Sequence, residues 1–209
     1  MKILSNSAIT LDGRLAESAS EFVPPGSEAD HRFMSELRNR VDAVLVGGNS
    51  FRCTPLPLLP NPAHLAGPLR QLPYWNIVVS RGLQLPTHGA YYEESRIQRL
   101  FFVSEAGAAG AASFPAEVLH PPTGDPTPAW MVAQLEQRGV QSLLIEAGGD
   151  LIYQFLAADL IDELYVTLCP AVLGKRGAPA IADGVAPLGA PFKRLSLAEV
   201  RVVGHEVFL

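Results

Sequence analysis

The stretch that most constrains the fold is Leu143-Leu144-Ile145-Glu146-Ala147-Gly148-Gly149-Asp150-Leu151. Three consecutive aliphatics mark a short strand buried on both faces of a parallel sheet. Two glycines follow, then Asp150 as a candidate N-cap, then the apolar-periodic segment Leu151 to Leu156. The expected order is strand, tight glycine turn, helix. Such a corner aims unpaired backbone N–H groups and the positive end of the helix dipole at one point, where glycine lets an anion approach. The same residues also suit a plain strand-to-helix loop in which the glycines only permit the turn. Val41 to Val46 repeats the pattern, a buried strand running into Gly47-Gly48-Asn49-Ser50. Two such corners in one chain favour a bound phosphate over a coincidence of turns.

The 209 residues suit one large domain or two small ones, and no linker divides them. We therefore expect a single domain, 1–209. A net charge of -5 argues against a nucleic-acid partner. No apolar run reaches membrane-spanning length and the first residues lack a signal peptide's core, so a cytoplasmic protein with no membrane partner is expected. Cys53 and Cys169 are too few for a disulfide or cysteine-zinc scaffold, and the five histidines show no ligand spacing, so no metal site is expected.

In chain order, residues 2–9 read as an opening strand with Ile3, Ala8 and Ile9 buried. Thr10 to Arg14 form a polar turn in which Gly13 allows positive φ and Asp12 suits a turn cap. Ser27 and Asp30 fit a capping box before a helix carrying Phe33, Leu37 and Val41. Prolines at 55, 57, 60, 62, 68 and 73 exclude a long helix or central strand from 53–73. Residues 75–79, 100–103 and 116–119 read as strands, and 106–112 as loop or weak helix. Thr127 caps a helix that has Pro128 at its first position, Gly139 beyond its end, and Met131 and Leu135 facing inward. Residues 162–170 form a further strand, and 192–199 with 201–208 read as a terminal antiparallel pair turning at Glu199-Val200. Alternating strands and helices predict an α/β fold: a mixed, mostly parallel sheet with helices on both faces and a C-terminal antiparallel hairpin. A flavodoxin-like doubly wound sheet is the competing architecture, without that hairpin.

The order Thr10-Leu11-Asp12-Gly13-Arg14, Val46-Gly47-Gly48-Asn49-Ser50, Ser80-Arg81, Glu146-Ala147-Gly148-Gly149 and Leu160-Ile161-Asp162-Glu163-Leu164 before Pro170 and Gly174 resembles the pyrimidine-reductase domain of bacterial riboflavin biosynthesis. The resemblance spans essentially the whole chain and implies the dihydrofolate-reductase-like three-layer fold. It further implies an NADPH-dependent oxidoreductase that delivers hydride to C1′ of a ribosylaminopyrimidine. By the same resemblance the cofactor lies against Ala8, Phe22, Gly47, Gly48, Ser50, Gly148, Gly149, Asp150 and Leu151. Ser80 then lies near the adenosine 2′-phosphate with Arg81 supplying charge. Ser20, Arg38 and Glu146 match substrate-binding positions, and Glu146 and Asp12 are the carboxyl groups placed to organise a proton. Family members are commonly homodimers, and the apolar C-terminal hairpin suits a subunit interface.

Two departures stand out. Where the family carries a paired Asp-Asp-Pro, this chain has Thr54-Pro55, which puts the pathway substrate in question and admits another small heterocycle such as a pterin. The zinc-deaminase signature, His-x-Glu with Pro-Cys-x-x-Cys, does not occur. A nucleotide-binding relative without turnover is the remaining alternative.

Overall fold

A computed structural model of the chain describes residues 1–18, 23–71, 74–190 and 192–209. The opening strand β1 (Lys2–Ile9) leads to α1 (Glu28–Arg38), β2 (Ala43–Gly47), α2 (Gly48–Cys53) and β3 (Tyr74–Val79). Then come α3 (Ala90–Glu93), β4 (Ile97–Phe102), β5 (Glu117–Leu119), α4 (Pro128–Glu136), β6 (Ser142–Ile145), α5 (Gly149–Ala157) and β7 (Glu163–Leu168). The chain closes with β8 (Arg201–Val203) and β9 (Glu206–Phe208). Among the described residues the strands form one nine-stranded sheet in the order β5-β4-β3-β2-β6-β1-β7-β9-β8. Strands β1 to β7 pair in parallel, and β9 and β8 are antiparallel additions at the β7 edge. This is the dihydrofolate-reductase-like arrangement, and its hairpin excludes the flavodoxin-like alternative.

Period-two alternation along the buried strands feeds two cores. Leu45, Ile77, Leu143 and Ile145 face α4 and α5 through Met131, Leu135, Ile152 and Phe155. Val44, Val46, Val78 and Leu144 face the other way, toward Phe33 and Leu37 of α1, Phe51 of α2 and Tyr91 of α3. Aliphatics buried on both faces explain why these strands read as unbroken apolar runs.

Several expectations shift in detail. The capping box of Ser27 and Asp30 does not close: Ser27 Oγ caps the Ala29 N–H, but the Ser27 N–H and hydroxyl both donate to Glu206, at 2.7 and 2.6 Å. A carboxylate 179 positions away takes the part that the spacing assigns to Asp30. Asp150 is not an N-cap either; Gly148 holds that position and Asp150 lies in the first turn of α5. Ala8 and Ile9 are only half-buried, whereas Ser5, Asn6 and Ser7 are buried. The terminal hairpin is shorter than expected and turns at Gly204 (φ 61°), leaving 192–199 outside any strand. A positive φ suits glycine there, whereas Glu199-Val200 would oppose it. The proline-rich excursion begins after α2, with one short turn of 3₁₀ helix at Pro62–His64.

Candidate active site

In a parallel sheet every strand delivers its carboxyl end to the same edge, and ligands settle where neighbouring crossovers leave to opposite sides. Here that point lies between β2 and β6. Gly47 ends β2, with α2 leaving on one face, and Glu146-Ala147-Gly148 follow β6, with α5 leaving on the other. The two corners adjoin: a Cβ placed on Gly47 would sit 3.5 Å from Leu151 Cδ1. Helices α1 and α4 are capped by the side chains of Ser27 and Thr127. Helices α2 and α5 start at Gly47 and Gly148 with no side-chain cap. Their first N–H groups are therefore open to an outside acceptor.

The glycines at these corners do different jobs. Gly148 has an ordinary φ of -70°, and a Cβ there would meet nothing within 4 Å, so its bareness serves access rather than backbone conformation. A Cβ on Gly149 would lie 2.2 Å from the Ala180 carbonyl, and that glycine lets the 180–183 segment pack on α5. A Cβ on Gly48 would lie 2.7 Å from Ser80 Oγ, so Gly48 lets α2 start against the end of β3. Ser50 is half-buried in the first turn of α2, and Ala8 is half-buried on β1 opposite Thr167. The exposed Asp150 carboxylate accepts from Gln154 along the helix at 3.2 Å, so what it offers an anion is its backbone N–H. Arg81 is exposed just beyond Ser80. Ser20 and Phe22 lie outside the described residues.

Arg38 and Glu146 are brought together as a buried pair. The Arg38 fork donates from Nε to Glu146 Oε1 at 2.9 Å and from Nη2 to Oε2 at 2.6 Å. Its Nη1 donates to the Leu59 carbonyl at 3.1 Å, which anchors the proline-rich loop. Burial disfavours the Arg38 charge, and Glu146 beside it outweighs that, holding the guanidinium above its usual value. Most of this Arg's donors are thus committed, and its role is to orient Glu146 at the mouth of β6.

Asp12 is spent differently. It accepts from the Thr10 hydroxyl at 2.7 Å, and from the Gly174 and Leu173 N–H groups at 2.9 and 3.0 Å. Those bonds, the hydroxyl first, pull its carboxyl down to about 2. Asp12 clamps the loop after β7 to the turn after β1.

Asp30, a helix cap by its spacing, is buried on the first turn of α1, 5% exposed, and the equally buried Glu206 (4%) lies near it. Burial raises its pKa, and the charges of Glu206 and Glu146 add to that; the Thr167 hydroxyl and His31 act in the opposite direction. The Thr167 hydroxyl stands beside it, yet Asp30 Oδ1, Thr167 Oγ1 and Asn6 Oδ1 are all buried without a formed hydrogen bond. Leu4 and Tyr165 face α1, so Asn6 and Thr167, two residues further along their strands, face it too. The sequence signal is the polar run Ser5-Asn6-Ser7 inside a central strand. Three polar residues in a row run against the apolar pattern of the other buried strands, which is the signal that could have drawn attention to Asn6. Among the described residues no group of three or more His, Cys, Asp or Glu is placed to hold a metal ion. Among them, too, no helix is long and apolar enough to cross a membrane.

The RibD C-terminal domain family matches residues 1–209. The 2,5-diamino-6-ribosylamino-4(3H)-pyrimidinone 5′-phosphate reductase of Methanothermobacter thermautotrophicus is 27% identical, over 87% of this chain and 83% of its own. The protein of the same name from Aquifex aeolicus is 25% identical, over 96% and 89%. The riboflavin biosynthesis protein RibD of Synechocystis is 28% identical over 82% of this chain, which spans only 46% of it. Among solved structures, a pyrimidine reductase-like protein of Corynebacterium diphtheriae superposes with a TM-score of 0.77 at 17% identity, over 99% of this chain and 89% of that one. Acinetobacter baumannii RibD does so with 0.76 at 21%, over 99% and 56%. At such identities these two likenesses speak for the fold alone.

Proposed function

The chain belongs to the RibD C-terminal domain family, and from that premise we propose that it is an NADPH-dependent reductase converting the ribosyl group of a ribosylaminopyrimidine 5′-phosphate to ribityl. The observation that carries this reading is the pair of adjoining helix starts at Gly47 and Gly148, both uncapped and both opening on the carboxyl edge of the sheet. A pyrophosphate needs bare backbone N–H groups from two directions, and these residues suit it. When bound, the dihydronicotinamide supplies the hydride; the protein supplies position and a proton.

Glu146, held flat by Arg38, offers two fixed acceptor oxygens to the polar edge of a pyrimidine. Asp12 is already ionised and tied to backbone, so its part is to brace the loop after β7 rather than to donate. Asp30 is the best candidate for the proton donor, because burial and the nearby charges of Glu206 and Glu146 shift it toward the neutral form. With a ring-opened substrate, Asp30 would give its proton to the imine nitrogen as C1′ is reduced, and solvent water would return a proton to the carboxylate afterwards. Thr54 and Pro55, in place of an acidic pair, favour a second reading in which the substrate is a pterin. The exposed Val202 (68%) on the edge strand β8, with Leu195 (62%) and Leu197 (70%) exposed just before it in sequence, supports a homodimer, to be tested by light scattering; a cytoplasmic location is part of the same reading.

The test of activity is NADPH absorbance, followed separately with the ribosylaminopyrimidine phosphate and with dihydrofolate. Oxidation with the first supports the reading and oxidation with the second alone transfers it to pterins. Tight NADPH binding with oxidation by neither would overturn it in favour of a nucleotide-binding relative.

A further inference from the structure

We infer that Arg52, rather than Arg81, is the cation that reads the adenosine 2′-phosphate and gives the chain its preference for NADPH over NADH. This rests on the dinucleotide reading above and names the residue that sets its specificity. Arg52 lies in the last turn of α2, and its side chain folds back over the start of that helix. Nη1 donates to Asn49 Oδ1 at 2.7 Å and Nε to the Gln84 carbonyl at 3.0 Å. Two bonds from opposite sides fix the plane of the guanidinium. They leave its Nη2 edge turned to Ser80, 3.5 Å from Oγ. That separation is at the limit of a hydrogen bond, so a phosphate oxygen entering there takes the donor with little to displace.

The neighbourhood is built for close approach. Gly48 brings the start of α2 so near the end of β3 that any Cβ would strike Ser80. Asn49, Arg52 and Ser80 thus present an amide-anchored guanidinium and a hydroxyl to one point, beyond the pyrophosphate corner and on the same sheet edge. Arg suits this position better than Lys, because a forked planar donor matches phosphate oxygens in pairs. Arg81 contributes differently: its carbonyl accepts from Ser104 Oγ at 2.6 Å and packs against Gly107, which shapes the turn after β3. Among the described residues its exposed side chain has no comparable anchor.

The experiment compares binding of 2′,5′-ADP and 5′-ADP by calorimetry, which isolates the 2′-phosphate without turnover. The intact chain is expected to prefer 2′,5′-ADP. Arg52→Gln should weaken 2′,5′-ADP about 10–100-fold and leave 5′-ADP within about twofold, with Arg52→Lys intermediate. Arg81→Gln should change the ratio by less than about threefold. Arg52 is exposed, so an unchanged melting temperature will confirm that each variant is folded. If Arg52→Gln keeps the preference, or Arg81→Gln abolishes it, the inference fails while the dinucleotide site stands. If the intact chain binds neither nucleotide nor NADPH, the reductase reading itself fails, and this inference with it.

Discussion

Replacing Asp30 by Asn separates a functional acid from a structural one, because the two roles predict opposite changes in stability. Asp30 is almost fully buried, and its Oδ1 has no formed hydrogen bond. Burial, with Glu206 and Glu146 nearby, raises its pKa in the folded chain. Below about pH 3.9 both folded and unfolded forms hold the proton, and the group favours neither. As the pH rises further, the unfolded chain releases a proton that the folded chain retains, so stability falls until the folded carboxyl ionises too. Asn cannot follow that fall. An unsatisfied buried acceptor costs about 1–3 kcal/mol, and relief of ~1–2 kcal/mol raises the melting temperature by about 2–8 °C for a chain of this length. Loss of the proton donor should lower turnover about 10²–10⁴-fold. The assay is a series of thermal melts from about pH 4 to about pH 8, run beside NADPH oxidation. A variant that is more stable near neutrality and nearly inactive supports the assignment. Wild-type turnover, or a loss of stability that does not vary with pH, would refute the reasoning.

Gly148→Ala should leave the melting temperature unchanged and weaken NADPH about tenfold, because its side chain meets only open space. Gly149→Ala should instead cost about 1–3 kcal/mol in melts, because its Cβ would strike the Ala180 carbonyl. Asp12→Asn should speed hydrogen exchange at Leu173 and Gly174. The stability that Asp12 lends is present above about pH 3.9 and is lost as the pH falls toward 2, so acid titrations of variant and wild type should converge there. Glu146→Gln leaves the Arg38 guanidinium buried without its counter-charge and should cost ~3 kcal/mol, about 6–12 °C in the melt. The double variant Arg38→Met, Glu146→Leu should regain most of that stability and none of the activity.

Strand and helix positions were legible because their causes are local. The aliphatic runs at 43–46, 77–79 and 143–145 can only be buried strands, and Thr127-Pro128 can only begin a helix. The chain order of the two glycine corners was equally plain, and so was the turn at Asp12-Gly13, though not the loop at Leu173-Gly174 that Asp12 clamps. The departures concern partners far apart in sequence. Ser27 and Asp30 have the spacing of a capping box, but Glu206 outcompetes Asp30 once β9 lies beside β7. The pairing of Arg38 with Glu146, and of Arg52 with Ser80, spans 108 and 28 positions. Gly148 and Gly149 are indistinguishable as letters, yet one faces open space and the other a carbonyl.

Local chemistry therefore determined which segments become strands, which corners expose backbone N–H groups, and that an anion suits them. Only the folded sheet decided which carboxyl group is pushed toward its neutral form and which toward its charged one, since a pKa answers to burial and to neighbours in space. Asp12 and Asp30 are the same residue type, each near glycine and serine or threonine. One ended among hydrogen-bond donors and the other in a dry corner with two more carboxyl groups nearby, and that difference is tertiary.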